Sequence, residues 1–206
     1  MTDYPDPGHR DAELRRPIAA VLAGGGASRM GSPKATLEID GRKFLDRIVD
    51  VLLGAFDMVY VCGGDTPALG ASLVHDDHPG EGPLAGIVSA LRVAEGAPTF
   101  VTAVDMPMLT LETIRRLCVP PVGAGHARIA RVDGRPQPLC GMYAGDLEAH
   151  AVGCLRSPDR SVMGFALGVP YLELVDIDDG SLMNINTPDD YAALRRFGVR
   201  TGEISP

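Results

Sequence analysis

Short apolar runs that end in glycine or aspartate alternate with helix-length stripes along this chain, and that alternation limits the folds open to it. The first run, Ile18 to Ala23 (IAAVLA), leads straight into three glycines. A run that is apolar at every position suits a strand covered on both faces, as in a parallel sheet. Met58 to Cys62 (MVYVC) closes at Gly63-Gly64, and Ser72 to Asp76 (SLVHD) and Thr99 to Asp105 (TFVTAVD) are further strand candidates. Between them, Phe44, Leu45, Ile48, Val51 and Leu52 predict one face of a helix from Lys43 to Ala55. Pro83 opens a second helix, with Leu84, Ile87, Val88 and Leu91 on one stripe. A third runs from about Thr110 to Cys118, and Pro120-Pro121 ends that half. The second half offers strands at ARIARVD (from Ala127), PLCGMY (from Pro138) and YLELVDI (from Tyr171), with helices near Asp146 to Leu155 and Ser161 to Gly168. A last helix starts at Thr187-Pro188-Asp189-Asp190, where threonine can cap, proline suits the first turn and two carboxylates meet the positive helix end. The expected fold is α/β: a single doubly wound, mostly parallel sheet with helices on both faces. The expected organisation is a flexible N-terminal tail over 1–16, one domain over 17–198 and a C-terminal tail over 199–206.

Composition narrows the partners. The chain has 206 residues and a net charge of −8, so a general nucleic-acid binder, which needs a basic face, is disfavoured. Any anionic ligand must be met by a local cluster of positive groups. No apolar run approaches the roughly 18 residues of a membrane span. The first residues, MTDYPDPGHRDAELRRP, are polar and lack a signal-peptide core. Cys62, Cys118, Cys140 and Cys154 are scattered without a C-x-x-C pair, which fits separate thiols in a reducing cytoplasm.

The stretch VLAGGGASRMGSPK, Val21 to Lys34, looks like a phosphate loop and fails two tests. The Walker pattern breaks at Ser32, where lysine belongs, and the dinucleotide fingerprint breaks at Arg29, where its last glycine belongs. Its physical content is still that of an anion cradle. Three glycines let backbone N–H groups approach a ligand, and Arg29 and Lys34 add two positive charges. Pro33 steers Ser32 out of the helical region and sets Lys34 at a turn. A glycine-rich turn with two solvated cations is the alternative; the preceding strand and the paired cations favour the cradle. Asp105 closes a strand on the same rim and suits a hard divalent cation, although a turn aspartate would look the same. In HDDH, His75 to His78, the ligands are adjacent rather than spaced, which does not suit zinc.

Several blocks match a known pattern in order. LAGGGASRMGSPK resembles the glycine-rich signature of nucleotidyltransferases with a Rossmann-like, GT-A-type fold. GEGPLAGI (Gly80 to Ile87), VDMPML (Val104 to Leu109), QPLCGMY (Gln137 to Tyr143) and NINTPDD (Asn184 to Asp190) follow it. Together they resemble the molybdenum cofactor guanylyltransferase family over about Ile18 to Phe197. The resemblance implies transfer of GMP from GTP to molybdopterin, with Mg²⁺ as cofactor and a cytoplasmic setting. It implies nucleotide binding by Leu22, Ala23, Gly24, Gly25, Lys34, Asp76 and Asp105, with Arg29, Lys34 and Asp105 catalytic and Asp105 on the metal. It sets Asn184 and Asn186 near the pterin phosphate or the metal. Transient contact with molybdoenzyme-maturation proteins is a further expectation, with no nucleic acid and no membrane. The rival readings are a cytidylyltransferase acting on molybdopterin, a sugar-phosphate nucleotidyltransferase, and a non-catalytic cofactor-binding assembly protein.

Overall fold

A computed structural model of the chain describes residues 15–24, 33–75, 78 and 80–201. In chain order the elements are β1 (Ile18–Leu22), β2 (Glu38–Ile39), β3 (Arg42–Lys43), α1 (Phe44–Leu53), β4 (Val59–Cys62), β5 (Ser72–Val74), α2 (Pro83–Val93) and β6 (Thr99–Ala103). They continue as α3 (Leu111–Cys118), β7 (His126–Val132), β8 (Arg135–Tyr143), α4 (Glu148–Leu155), α5 (Val162–Leu167), β9 (Tyr171–Asp176) and α6 (Pro188–Thr201). Seven strands form one sheet in the order β5-β4-β1-β6-β8-β7-β9. Every neighbouring pair is parallel except those made by β8, which alone runs against the rest.

The reversal into β8 has a local cause. Asp133 and Gly134 form a two-residue hairpin loop with φ of 48° and 73°. Both values belong to a type I′ turn, whose twist matches the flanking strands, and Asp-Gly is its favoured sequence. The same dipeptide at Asp40-Gly41, with φ of 52° and 73°, turns the separate two-stranded ribbon of β2 and β3.

Alternation along β1 divides the core. Ala19 and Val21 face α1 and α3, while Ala20 and Leu22 face α2, α4 and α5, so both faces of the sheet are covered. Helix α1 buries Phe44, Leu45, Ile48, Val49 and Leu52. Val49 takes the buried place that the helical stripe assigned to Val51, which is half-buried. A helix of 10 residues is marginal alone; burial at about 1.5–3 kcal/mol for each large side chain is what holds it. Helix α2 lies close over β1, for a Cβ on Gly86 would stand 3.1 Å from Leu22 Cδ2.

Helix α6 packs elsewhere. Leu194 joins Ile39 of the ribbon, Phe44 of α1 and Ile185 in a small cluster separate from the two main cores. The Tyr191 hydroxyl donates to the Glu38 carbonyl, and its ring lies 6.0 Å from that of Phe44. Among the described residues, no helix is long and apolar enough to cross a membrane.

Candidate active site

The winding of the sheet locates the crevice. The chain runs outward from β1 to β4 and β5, then returns to the other side of β1 as β6. Helices around such a reversal diverge, and ligands sit there at the carboxyl ends of the strands. Those ends are Leu22 to Gly24 after β1 and Val104-Asp105 after β6. Val104 N–H donates to the Leu22 carbonyl at 3.1 Å, which sets the two segments side by side.

The end of β4 supports the same rim. Ala23 N–H donates to the Cys62 carbonyl at 3.0 Å. The chain then turns through Gly63 and Gly64, with φ of 72° and 75°. A Cβ on Gly63 would stand 2.9 Å from Gly24 Cα, and one on Gly64 would stand 3.0 Å from the Ala23 carbonyl oxygen. Two backbones approach more closely here than side chains would allow.

Pro33, extended at φ −57° and ψ 131°, delivers Lys34 to a single 3₁₀ turn over Lys34–Thr36. Thr36 closes that turn, its N–H and its hydroxyl both reaching the Pro33 carbonyl, at 3.0 and 2.8 Å. Lys34 Nζ donates to Asp105 Oδ2 at 2.9 Å and to Asn186 Oδ1 at 2.5 Å. The Lys34 and Asp105 side chains are only 18% and 19% exposed, so salt screens this pair less than a surface pair. The other oxygen, Asp105 Oδ1, is buried and has no hydrogen-bond partner among the described residues.

Asn186 arrives on the segment between β9 and α6. Ile185 is buried and its N–H donates to the Asp105 carbonyl at 2.9 Å, anchoring the segment beside β6. A buried hydroxyl pair, Thr113 and Ser181 at 2.8 Å, ties its earlier part to the first turn of α3. Thr187 then starts α6 as the sequence led one to expect. Its hydroxyl accepts the Asp190 N–H at 3.1 Å, while Asp190 Oδ2 accepts N–H bonds from Asn186 at 3.0 Å and Thr187 at 2.9 Å. Those bonds, the Asn186 N–H first, hold the Asp190 carboxyl below its usual range.

Leu22, Ala23, Gly24, Lys34, Asp105 and Asn186 thus converge. Asn184 is half-buried two residues before Asn186. Gly25, Arg29 and Asp76 lie outside the described residues. His78 Nδ1 lies 3.9 Å from Glu81, whose carboxylate Arg160 also approaches at 3.9 Å. Sequence reasoning did not find the hold of Asp190 on Asn186, although the Thr-x-x-Asp spacing of a capping box was its signal. A second concavity, of about 600 Å³ and lined by Pro17, Pro98, Cys118, Val122, Met142 and Ala144, opens at the opposite end of the sheet, by the starts of β1 and β6.

The family match puts this doubly wound sheet, with its lysine–carboxylate pair over the switch point, in the nucleotidyltransferase class of α/β enzymes. The profile of the MobA-like NTP transferase domain matches residues 19–163, and the chain belongs to that family. A molybdenum cofactor guanylyltransferase from Cereibacter sphaeroides is 31% identical over 185 residues, covering 86% of this chain and 94% of its own. The fold is shared with molybdopterin-guanine dinucleotide biosynthesis protein A from Archaeoglobus fulgidus, at a TM-score of 0.74 and 23% identity, over 89% of this chain and 99% of that one. A nucleotidyl transferase from Methanothermobacter gives 0.72 at 22% identity, over 90% and 99%.

Proposed function

We propose that the chain transfers GMP from GTP to molybdopterin and releases pyrophosphate. The observation that carries this reading is the Lys34–Asp105 pair at the switch point, with one carboxylate oxygen buried and without a hydrogen-bond partner among the described residues. Membership of the family and the guanylyltransferase relative support the choice of substrates.

The phosphate oxygen of molybdopterin attacks the α-phosphorus of GTP. That nucleophile is already an anion near neutral pH, so no protein nucleophile is required. The difficulty is to bring anions together. Lys34 meets it with a charge that is fixed before the substrate arrives, because two acceptors hold its ammonium group. Arg29, from its place in the same loop, is assigned a second positive charge on the phosphates. Leu22, Ala23, Gly24 and Gly25 are assigned to the nucleotide through their backbone, Asp76 to the nucleoside, and Asn184 with Asn186 to the side facing the acceptor.

Asp105 Oδ1 fits a hard cation. No group of three or more His, Cys, Asp or Glu residues among the described residues could hold a metal on its own. A single carboxylate suits Mg²⁺, which keeps much of its water and takes phosphate oxygens as ligands. When bound there, the cation offsets phosphate charge and stabilises the departing pyrophosphate.

Guanine presents N1–H and an N2 amino group as donors on its pairing edge. The acceptors that would meet these donors are assigned to strand-end carbonyls near Ala23 and to the carboxylate of Asp76, a residue outside the described ones. Each neutral group left unpaired by a wrong base costs about 1–3 kcal/mol. Two such losses give on the order of 10²-fold preference for GTP over CTP. The test is pyrophosphate release by the purified protein with Mg²⁺, molybdopterin and either triphosphate, with mass detection of the dinucleotide product. Turnover with GTP and a large GTP preference are expected. A CTP preference would move the activity to cytidylyl transfer, and binding without pyrophosphate release would make the chain a carrier.

A further inference from the structure

We propose that Asp190 is a positioning residue, which acts on the reaction through Asn186 and Lys34. The inference rests on the reading of Lys34 as the phosphate-facing charge.

A capping box needs two bonds. The Thr187 hydroxyl must accept from Asp190 N–H, and the Asp190 side chain must reach back to Thr187 N–H. Both are present, at 3.1 and 2.9 Å. The same Asp190 oxygen takes a third bond, at 3.0 Å, from the N–H of Asn186, outside the helix. That bond adds nothing to the box. What it fixes is the backbone of the residue whose Oδ1 meets Lys34 Nζ. On its other side Asn186 follows Ile185, which is buried and bonded to the Asp105 carbonyl. Asn186 is therefore clamped between the strand end that carries Asp105 and the helix that carries Asp190.

The helix is itself referenced to Lys34. Tyr191, the next residue, bonds the Glu38 carbonyl and packs by Phe44. Glu38 opens the ribbon that follows the Lys34–Thr36 turn. One turn of α6 thus holds both ends of the Lys34–Asn186 contact: Asp190 fixes the acceptor, and Tyr191 fixes the segment that delivers the donor.

The test is a double-mutant cycle on Asp190→Ala and Asn186→Ala, read in two ways. One is kcat/KM for GTP with saturating molybdopterin. The other, independent of turnover, is the NMR signal of the Lys34 ammonium, which its two acceptors and low exposure protect from exchange. Asp190→Ala is expected to lower kcat/KM about 10-fold, the scale of one hydrogen bond to a charged group. The double variant is expected to be no worse than Asn186→Ala alone, because residues acting through one contact are not additive. The Lys34 signal should shift in Asp190→Ala as it does in Asn186→Ala. Asp190→Asn, which keeps one acceptor oxygen, should restore the signal and most of the rate. Additive losses, or a Lys34 signal unmoved by Asp190→Ala, would overturn the proposal, as would Asp190→Asn falling as far as Asp190→Ala. If the wild type fails to turn over GTP, the functional reading fails, and the Lys34 signal still decides the role of Asp190.

Discussion

Gly63→Ala probes the closest backbone approach on the rim of the candidate site, and its cost can be worked in two parts. The first is conformational. Gly63 has φ +72°, and an L-residue in the left-handed region costs roughly 1–2 kcal/mol. The second is steric. The new Cβ would stand 2.9 Å from Gly24 Cα and 3.1 Å from Gly24 N, and both are main-chain atoms that cannot swing away. Relief requires β4 to move off β1, which stretches the adjacent bond from Ala23 N–H to the Cys62 carbonyl, now 3.0 Å. Loss of such a bond costs about 1 kcal/mol. The total expected is about 2–3 kcal/mol, or roughly 5–10 °C in Tm for a domain of this size. Gly41→Ala isolates the first part. Gly41 has nearly the same φ, +73°, but nothing lies within 4 Å of its ideal Cβ. Urea and thermal unfolding of both variants, with KM for the triphosphate, make the comparison. Gly63→Ala should be the less stable of the two and should raise KM, since Gly24 is displaced. Equal destabilisation by both substitutions would show that the close approach carries no energy, and the reasoning would fail.

Lys34→Ala is expected to cut turnover by roughly 10²-fold or more, the scale of losing one charge partner of the transition state; a folded variant with unchanged turnover would remove Lys34 from the site. Asp105→Asn keeps the shape and loses the anion, so the fold should persist while the dependence of rate on Mg²⁺ weakens; a wild-type metal titration and rate would refute the assignment. Partial burial pushes the Cys118 thiol up to about 12, against a lesser opposing effect of Arg128. Iodoacetamide at pH 8 should therefore alkylate Cys118 on the order of 10³-fold more slowly than a free thiol with pKa near 8.5, read by peptide mass. Labelling at the rate of a free cysteine would show that the half-buried thiol is not desolvated.

The parts of this fold visible in the sequence are those set by local rules. Period and length marked α1 to α5 and the seven strands of the main sheet, because each stripe or run reports its own burial. The direction of β8 was not read, although Asp133-Gly134 announces a tight hairpin between ARIARV and RPQPLCGMY. The Asp40-Gly41 ribbon was missed because two-residue strands carry no period. The active site shows a sharper limit. Gly63-Gly64 could be read as the end of a strand, but the need for glycine there comes from Ala23 and Gly24, which follow another strand. Lys34 and Asn186 are 152 positions apart, and no local pattern says that they meet. Their meeting depends on the small cluster of Ile39, Phe44, Ile185 and Leu194, whose members come from a ribbon, a helix start, a connecting segment and the last helix. Phe44 is the telling case. It heads the α1 stripe, so periodicity assigns it to the main core, yet it packs in the satellite cluster under Tyr191. A side chain at the end of an amphipathic helix can reach past the sheet, and its partners are then fixed by topology rather than by its own neighbours. In the proposed mechanism the chemistry is placed by that topology, since the charge of Lys34 can meet a triphosphate only where β6 and α6 bring Asp105 and Asn186 to hold it.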